Sequence, residues 1–355
     1  MLNLWLVWNL FLPGAATGRN DFLSFYAGAT LAGTPDLYDR AKISEVQLRA
    51  TGETGDSQKF VRLPCYAMFL KPLAWLPYRT AYLVWELLSA TALAAALWLW
   101  PHSPPRTKWL AVCWTLPIYA GLLIGQDDTF VLFWIALSAR LMHRKWPMAA
   151  GVAMALAASK YHLIVLVALV IVAQKRWRMA AGAAIGGCAL LALSFALAGP
   201  DWPWRYFAVL ADPSLVIDVR HMPGLWGSFQ QMRFGLQFQI LAAIVVAAVV
   251  FRAARLDPSF ERPMALALVG GILISVHVWL ADCSLLLPAI MISVYDKSSS
   301  MRLPAALMMV LVPWFVLQFH PPIPVLTRAL IVWLLLAGLV HCERLARRGL
   351  SLQSC

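Results

Sequence analysis

Asp21 follows a short apolar run and precedes a long polar segment, in a chain where few acidic side chains fall near apolar stretches. A carboxylate at the edge of a hydrocarbon region is costly to desolvate, which makes it a functional-site candidate, with helix capping in water as the alternative. Lys160 and His162 sit between Ala157-Ala158 and Leu163-Ile164. An ammonium that close to apolar surface needs a counter-charge, which an anionic phosphate at a membrane boundary would supply, unless the side chain snorkels to the interface. His277 precedes Asp282 within an apolar run, a spacing that places them on adjacent faces of a helix and allows a pair without requiring one; the His can equally be a packing residue. In His221-Met222-Pro223-Gly224-Leu225-Trp226 a cation-capable ring accompanies a Trp, consistent with sugar stacking and equally with an interfacial belt. Gly125-Gln126-Asp127-Asp128 reads as a plain turn, and two adjacent carboxylates rarely supply enough ligands for a divalent metal, so no metal is expected.

The elements that must position these residues follow from composition. Of 355 residues 61% are hydrophobic and only 13% charged, with 17 Trp, and the mean hydropathy is +0.70. A soluble core cannot hide that much apolar surface. Runs such as Tyr82–Trp100 and Ile240–Phe251 lack the alternation of a membrane β-barrel, so the chain reads as an all-α polytopic membrane protein, one domain over 1–355. The net charge of +12 is explained by basic loops on one membrane side, and no nucleic-acid partner is expected. The six cysteines form no CxxC, so neither a disulfide framework nor a zinc site is indicated.

Met1–Pro13 is apolar but shorter than a comfortable span and lacks signal-peptide features; it is expected to be a first transmembrane helix, short or without its start. A first extracytoplasmic region covers 17–78, with a helix near Arg40–Arg49. Within it, Phe60–Pro77 carries Arg62, Lys71 and three prolines, which lipid would not tolerate, so a re-entrant or interfacial segment is expected there. Further spans are read at Thr80–Trp100, Trp109–Ile124, Thr129–Met142, Trp146–Ala158, Leu163–Gln174, Met179–Ala198, Phe238–Phe251, Pro263–Leu280, Leu285–Val294, Leu303–Leu317 and Val325–His341, about twelve in all. A second long loop covers 199–235.

Loops holding Arg106/Lys108, Arg144/Lys145, Lys175/Arg176/Arg178, Arg252/Arg255, Lys297/Arg302 and the C-terminal arginines fall on one side of the alternation, which the positive-inside rule makes cytoplasmic, with both termini inside. Asp21, Gln126, Asp127, Asp128, Lys160, His162, the 199–235 loop, Asp282 and His320 then share the opposite face. No GxSxG, HExxH or Walker motif occurs. A transporter or flippase for an amphiphilic lipid would use similar intramembrane ions, but no internal repeat is visible and the polar residues gather at one face rather than at mid-depth. A membrane acyltransferase with His277 as base lacks a closely spaced His-acid motif.

Several pieces occur in one order along most of the chain: Asp21-x4-Tyr26-Ala27 with Gly33 and Leu37-Tyr38-Asp39; Pro64 and Pro72; Gly125-Gln126; Ala150-Gly151 with Lys160; Lys175-Arg176-Trp177-Arg178; Met222-Pro223 with Gly227; Ser275-Val276-His277 with Asp282 and Leu286-Leu287-Pro288. Together they resemble the GT-C type polytopic glycosyltransferases, specifically glycosyltransferase family 87. The resemblance implies a GT-C-like bundle in a bacterial inner membrane that moves a hexose, mannose by resemblance, from a polyprenyl-phosphate carrier to a glycolipid or glycan hydroxyl at the extracytoplasmic face. It implies Asp21 as catalytic base and His277 in the active site. Lys160, with Arg62 or His277, would neutralise the phosphate; Gln126 joins the donor-binding set, and Tyr26, Tyr38, His162, His221 and Asp282 are candidate substrate contacts. No cofactor is required, because the sugar phosphate carries its own leaving group. The chain departs from the family pattern in having Arg62 where a Tyr tends to precede the proline, and Lys160-Tyr161 where Lys-Pro is frequent.

Overall fold

The computed structural model describes Asn9 and residues 20–52, 58–101, 104, 108–109, 112, 116–212, 222–295, 300–309 and 323–353. The expected first helix apart from Asn9, together with His221 and His320, lies outside the described residues. Within them every regular element is helical. Phe22–Thr30 (α1), Arg40–Thr51 (α2), Pro64–Leu70 (α3), Tyr78–Leu99 (α4) and Leu116–Leu123 (α5) come first. Asp128–His143 (α6), Pro147–Leu156 (α7), Tyr161–Ala173 (α8), Trp177–Ala198 (α9) and Trp202–Leu210 (α10) follow. Trp226–Phe229 (α11), Gly235–Leu256 (α12), Glu261–Ile274 (α13), Leu287–Tyr295 (α14) and Ile323–Gln353 (α15) complete the series.

Among the described residues five apolar helical stretches have the length and composition of membrane spans when each is taken as continuous: Tyr78–Leu99, Pro147–Ala173, Trp177–Ala198, Gly235–Leu256 and Val325–Arg347. The second of these is interrupted by a 3-10 turn, Ala157–Lys160, and folds back there. Were it straight, Ala173 would stand roughly 33 Å from Gly151. Yet a Cβ on Gly151 would lie 2.0 Å from the Met179 carbonyl oxygen, and the link from Ala173 to Met179 reaches at most roughly 20 Å. Lys160 is therefore the apex of a helical hairpin whose two feet share the end of the bundle with Arg144, Lys145 and Lys175–Arg178.

Small residues dock the first leg of that hairpin onto α9. Gly151 and Ala155 of α7 pack against Met179, Gly182 and Gly186 of α9, backbone against backbone, as small-xxx-small patterns permit. A Gly151→Val substitution is expected to lower the thermal midpoint in detergent, at a cost of about 1–3 kcal/mol for overpacking. A midpoint equal to wild type would show that α7 and α9 do not pack in this register.

The connection after α13 differs from a continuous helix through residue 280. The helix stops at Ile274 because the Ser275 hydroxyl turns onto the following backbone, accepting from His277 N at 3.2 Å and donating to His277 O at 2.8 Å, a local alternative to helical bonding. His277 thus lies in irregular backbone, and its expected helical phase with Asp282 does not apply; Asp282 belongs to a 3-10 turn, Ala281–Leu286. The prolines of Phe60–Pro77 fall at starts: Pro64 opens α3, Pro72 lies in the first turn of a 3-10 segment Lys71–Trp75, and Pro77 caps α4. Proline is tolerated at these positions because no intrahelical N–H is lost. The 199–235 loop contains α10 and α11.

Two cores result. One joins α1, Phe60, α3, the start of α4, Trp202 and Tyr206; Phe22 stacks on Tyr78 and Trp85, with ring centroids 6.0 and 5.6 Å away. The larger core runs through α6, α7, α8, α12, α13 and α15. At its basic end Arg252 meets Glu343 at 2.7 Å and Gln174 donates to Asp257 O at 2.7 Å. The opposite end gathers the ionisable residues described next.

Candidate active site

Gly125 turns the chain between α5 and α6 with a φ of +72°, a left-handed conformation that favours glycine. The turn delivers three consecutive polar side chains to the end of the bundle, and each takes a different partner. Gln126 Nε2 donates to Asp21 Oδ2 at 2.5 Å. Asp127 receives a two-point fork from Arg62, Nε to Oδ2 at 3.1 Å and Nη2 to Oδ1 at 3.0 Å. Asp128 Oδ1 accepts from Lys160 Nζ at 2.5 Å.

Asp21 occupies the N-cap of α1, but its carboxylate makes no capping bond; its main-chain oxygen accepts from Ser24 Oγ at 2.9 Å instead. The half-buried side chain is thereby left to Gln126. Burial pushes its carboxyl above the usual range, opposed by the Gln126 hydrogen bond and by the nearby Lys160 charge.

Lys160 forms a hub. Besides Asp128 it touches Asp282 Oδ1 at 2.5 Å and Asp127 Oδ1 at 3.6 Å, while Asp282 Oδ2 accepts from Trp279 N at 2.6 Å. The counter-charge that sequence alone seeks in a phosphate is supplied from within the chain. Burial alone would raise the Asp127 carboxyl, but Arg62 and Lys160 hold it well below the carboxylate range. Two cations thus face three carboxylates, and Asp128 Oδ2 is buried with no hydrogen-bond partner. With these carboxylates committed to ammonium and guanidinium, no group of three or more His, Cys, Asp or Glu among the described residues is arranged to hold a metal.

Beside this hub lies a cavity of about 550 Å³ lined by Arg62, His162, Tyr206, Trp226, Gln230 and His277, among others, within the range of roughly 300–1,000 Å³ usual for small-molecule sites. The His162 and His277 rings face each other edge to face, centroids 6.2 Å apart; neither imidazole is hydrogen-bonded among the described residues, so both can turn to a ligand. Arg62 joins wall and hub, its guanidinium also lying over the Phe25 ring at 5.3 Å. Asp21 is outside the lining; its partner Gln126 directly precedes Asp127, which holds Arg62 of the wall.

The other candidates serve as ties. Tyr26 donates to Leu76 O at 2.9 Å, and buried Tyr38 donates to Arg62 O at 2.7 Å, fixing the backbone that aims Arg62. Asp282 pairs with Lys160 rather than His277. In the sequence Asp127 and Asp128 read as part of a plain turn; the signal that promotes them is charge balance, since Arg62 and Lys160, each set among apolar neighbours, both need carboxylates. Tyr206 and Gln230 give no local signal, whereas Trp226, which the sequence offers for sugar stacking or an interfacial belt, stands in the cavity wall.

Comparison with known proteins matches residues 63–281 to the family described as Glycosyltransferase family 87. No curated protein and no solved structure matches the chain. The matched region holds Gln126, Lys160, His162 and His277, while Asp21 and Arg62 precede it and Asp282 follows it directly. As the match covers more than half of its length, the chain belongs to glycosyltransferase family 87.

Proposed function

We propose that this membrane glycosyltransferase moves a hexose, mannose as the first candidate, from a polyprenyl-phosphate carrier to a glycolipid or glycan hydroxyl, with inversion. The observation that carries the reading is Asp21: a desolvated carboxylate that caps nothing, held by one neutral amide, that of Gln126, whose chain neighbour Asp127 is paired with Arg62 of the cavity wall. In the transfer the acceptor oxygen bonds to the anomeric carbon as the bond from that carbon to the phosphate oxygen breaks on the opposite face. The hydroxyl proton passes to Asp21, and the electron pair leaves with the lipid phosphate. Arg62, His162 and His277 direct N–H groups at the donor, and Lys160 keeps the carboxylates around them in place. No cofactor enters this scheme, and the partners are the lipid-linked donor, the acceptor and the surrounding lipids.

The reading places the site on the extracytoplasmic face of a bacterial inner membrane with both termini in the cytoplasm, because the lysines and arginines of the connecting loops gather at the other end of the bundle. The test is turnover by purified protein in detergent of polyprenyl-phosphate mannose, polyprenyl-phosphate glucose and nucleotide sugars. Transfer from a polyprenyl carrier with an inverted anomeric centre is expected. Turnover of nucleotide sugars only would sink the donor assignment, and movement of intact carrier across vesicles without transfer would favour a flippase.

A further inference from the structure

The short helix α10 stands between two cavities. Tyr206 and Leu210 line the one described above. Arg205, Ala208 and Val209, a stripe at helical i, i+3, i+4 spacing, line a second of about 360 Å³, also within the range of roughly 300–1,000 Å³ usual for small-molecule sites. Its facing wall is the 3-10 turn Pro35–Tyr38, the start of α2 and Lys59. The two cavities adjoin at Asp212, just past the end of α10, which lines both. The walls are held by the chain itself. Arg205 Nη1 donates to Pro35 O at 2.6 Å across the second cavity, and Arg205 Nη2 donates to Ala198 O at the end of α9. The Tyr38 and Tyr206 rings lie 5.8 Å apart, and Lys59 Nζ meets Asp212 Oδ2 at 2.5 Å.

The lining narrows the class of ligand. Arg40, Lys59 and Arg205 supply three positive charges, and Asp36, Asp39 and Asp212 three negative ones. An anion drawn to Arg40 would meet Asp36 and Asp39 in the same cavity, and like charges brought together across an interface are costly. A hydrocarbon chain would strip water from these charged groups without replacing a hydrogen bond. A neutral polyhydroxylated ring meets both demands, because its hydroxyls donate to carboxylates and accept from cations. Groups of both kinds are available for it. The side chains of Asp36 and Arg40 have no partner among the described residues. Asp39 uses Oδ1 on the N–H groups of Ala41 and Lys42 and keeps Oδ2.

We propose that the second cavity is a sugar subsite for the acceptor: it holds a non-reacting sugar ring joined, past Asp212, to the ring whose hydroxyl is glycosylated in the first cavity. The protein then extends an acceptor that already carries more than one sugar. The inference rests on the reading of the first cavity as the place of transfer and adds the chemistry of the acceptor.

The test uses the full chain in detergent as wild type, as Ala208→Trp, which narrows the cavity from an exposed position of α10, and as the double variant Asp36→Ala/Arg40→Ala, which removes the groups without partners. Transfer from polyprenyl-phosphate mannose to octyl mannoside and to octyl mannotrioside is measured with each, alongside thermal midpoints. Wild type is expected to show a KM for the trioside about 10- to 100-fold below that for the monoside, the usual worth of hydrogen bonds to charged groups. Both variants are expected to lose that preference and to turn over the monoside as wild type does. Equal KM values for the two acceptors in wild type would overturn the proposal, as would a preference kept by both variants. Equal losses on both acceptors with lowered midpoints would make these residues structural and overturn it as well. Binding of free mannotriose, followed by saturation-transfer NMR, is the second arm. A signal in wild type that both variants lose supports the subsite; no signal in wild type, or displacement of mannotriose by inorganic phosphate, which would mark an anion site, overturns it. Should wild type turn over no polyprenyl-phosphate sugar while mannotriose binding still depends on Ala208 and on Asp36 with Arg40, the transfer reading fails and the sugar subsite stands.

Discussion

Asp21→Asn is expected to lower kcat for sugar transfer by about 10²- to 10⁴-fold, the range that general base catalysis contributes, with donor KM little changed. The substitution keeps the size of the side chain and an oxygen that can accept from Gln126 Nε2, and removes only the capacity to take a proton. Stability should hold, because the carboxylate does not cap α1 and Ser24 bonds to the main chain instead. Steady-state kinetics with matched melting curves make the test, and transfer at the wild-type rate would remove Asp21 from the role of base.

The same carboxyl sets a pH profile. Burial raises its pKa above the usual range, and the base must be ionised to act, so kcat/KM is expected to fall as pH decreases through that raised value, with an acid limb above that of an ordinary carboxylate. The Gln126 hydrogen bond favours the ionised form, so Gln126→Leu is expected to move the limb to higher pH. A shift to lower pH, or none, would show that another group limits the rate.

Much of the end-on gathering of polar residues was legible in the sequence because charge and proline punctuate apolar runs. Lys160 reads as an apex since Ser159-Lys160-Tyr161-His162 interrupts a long apolar stretch, and the chain does turn back there. What spacing cannot carry is pairing. Lys160 meets Asp128 and Asp282 across separations of 32 and 122 residues, and only the packing of α6 against α7 and of α8 against α13 brings those segments to one point. The same limit hid Arg328, which looks like a basic residue at the end of an ordinary span until the Met222 carbonyl, 106 residues earlier, is seen to be its partner. The backbone at His277 is a different case: the apolar pattern through residue 280 predicts continued helix, and a single hydroxyl, that of Ser275, competes successfully with the helical bonds.

Lys160→Met is expected to cost about 3–5 kcal/mol of stability, the usual penalty when one partner of a buried ion cluster is removed. Arg62 retains its fork on Asp127, but Asp128 Oδ1 and Asp282 Oδ1, each 2.5 Å from the ammonium, lose their shared cation. Asp128 already has one oxygen without a partner, so its remaining charge has no route to water. Neutralising that carboxylate should therefore recover part of the loss: the double variant Lys160→Met/Asp128→Asn is expected to melt above Lys160→Met alone, giving a coupling that a double-mutant cycle reads directly. A direct phosphate-binding role for Lys160 predicts the reverse pattern, a raised donor KM with an unchanged midpoint and no rescue by Asp128→Asn. The geometry favours the first pattern because a third anion would have to displace a carboxylate from an ammonium with three donors and carboxylates within 3.6 Å on Asp127, Asp128 and Asp282.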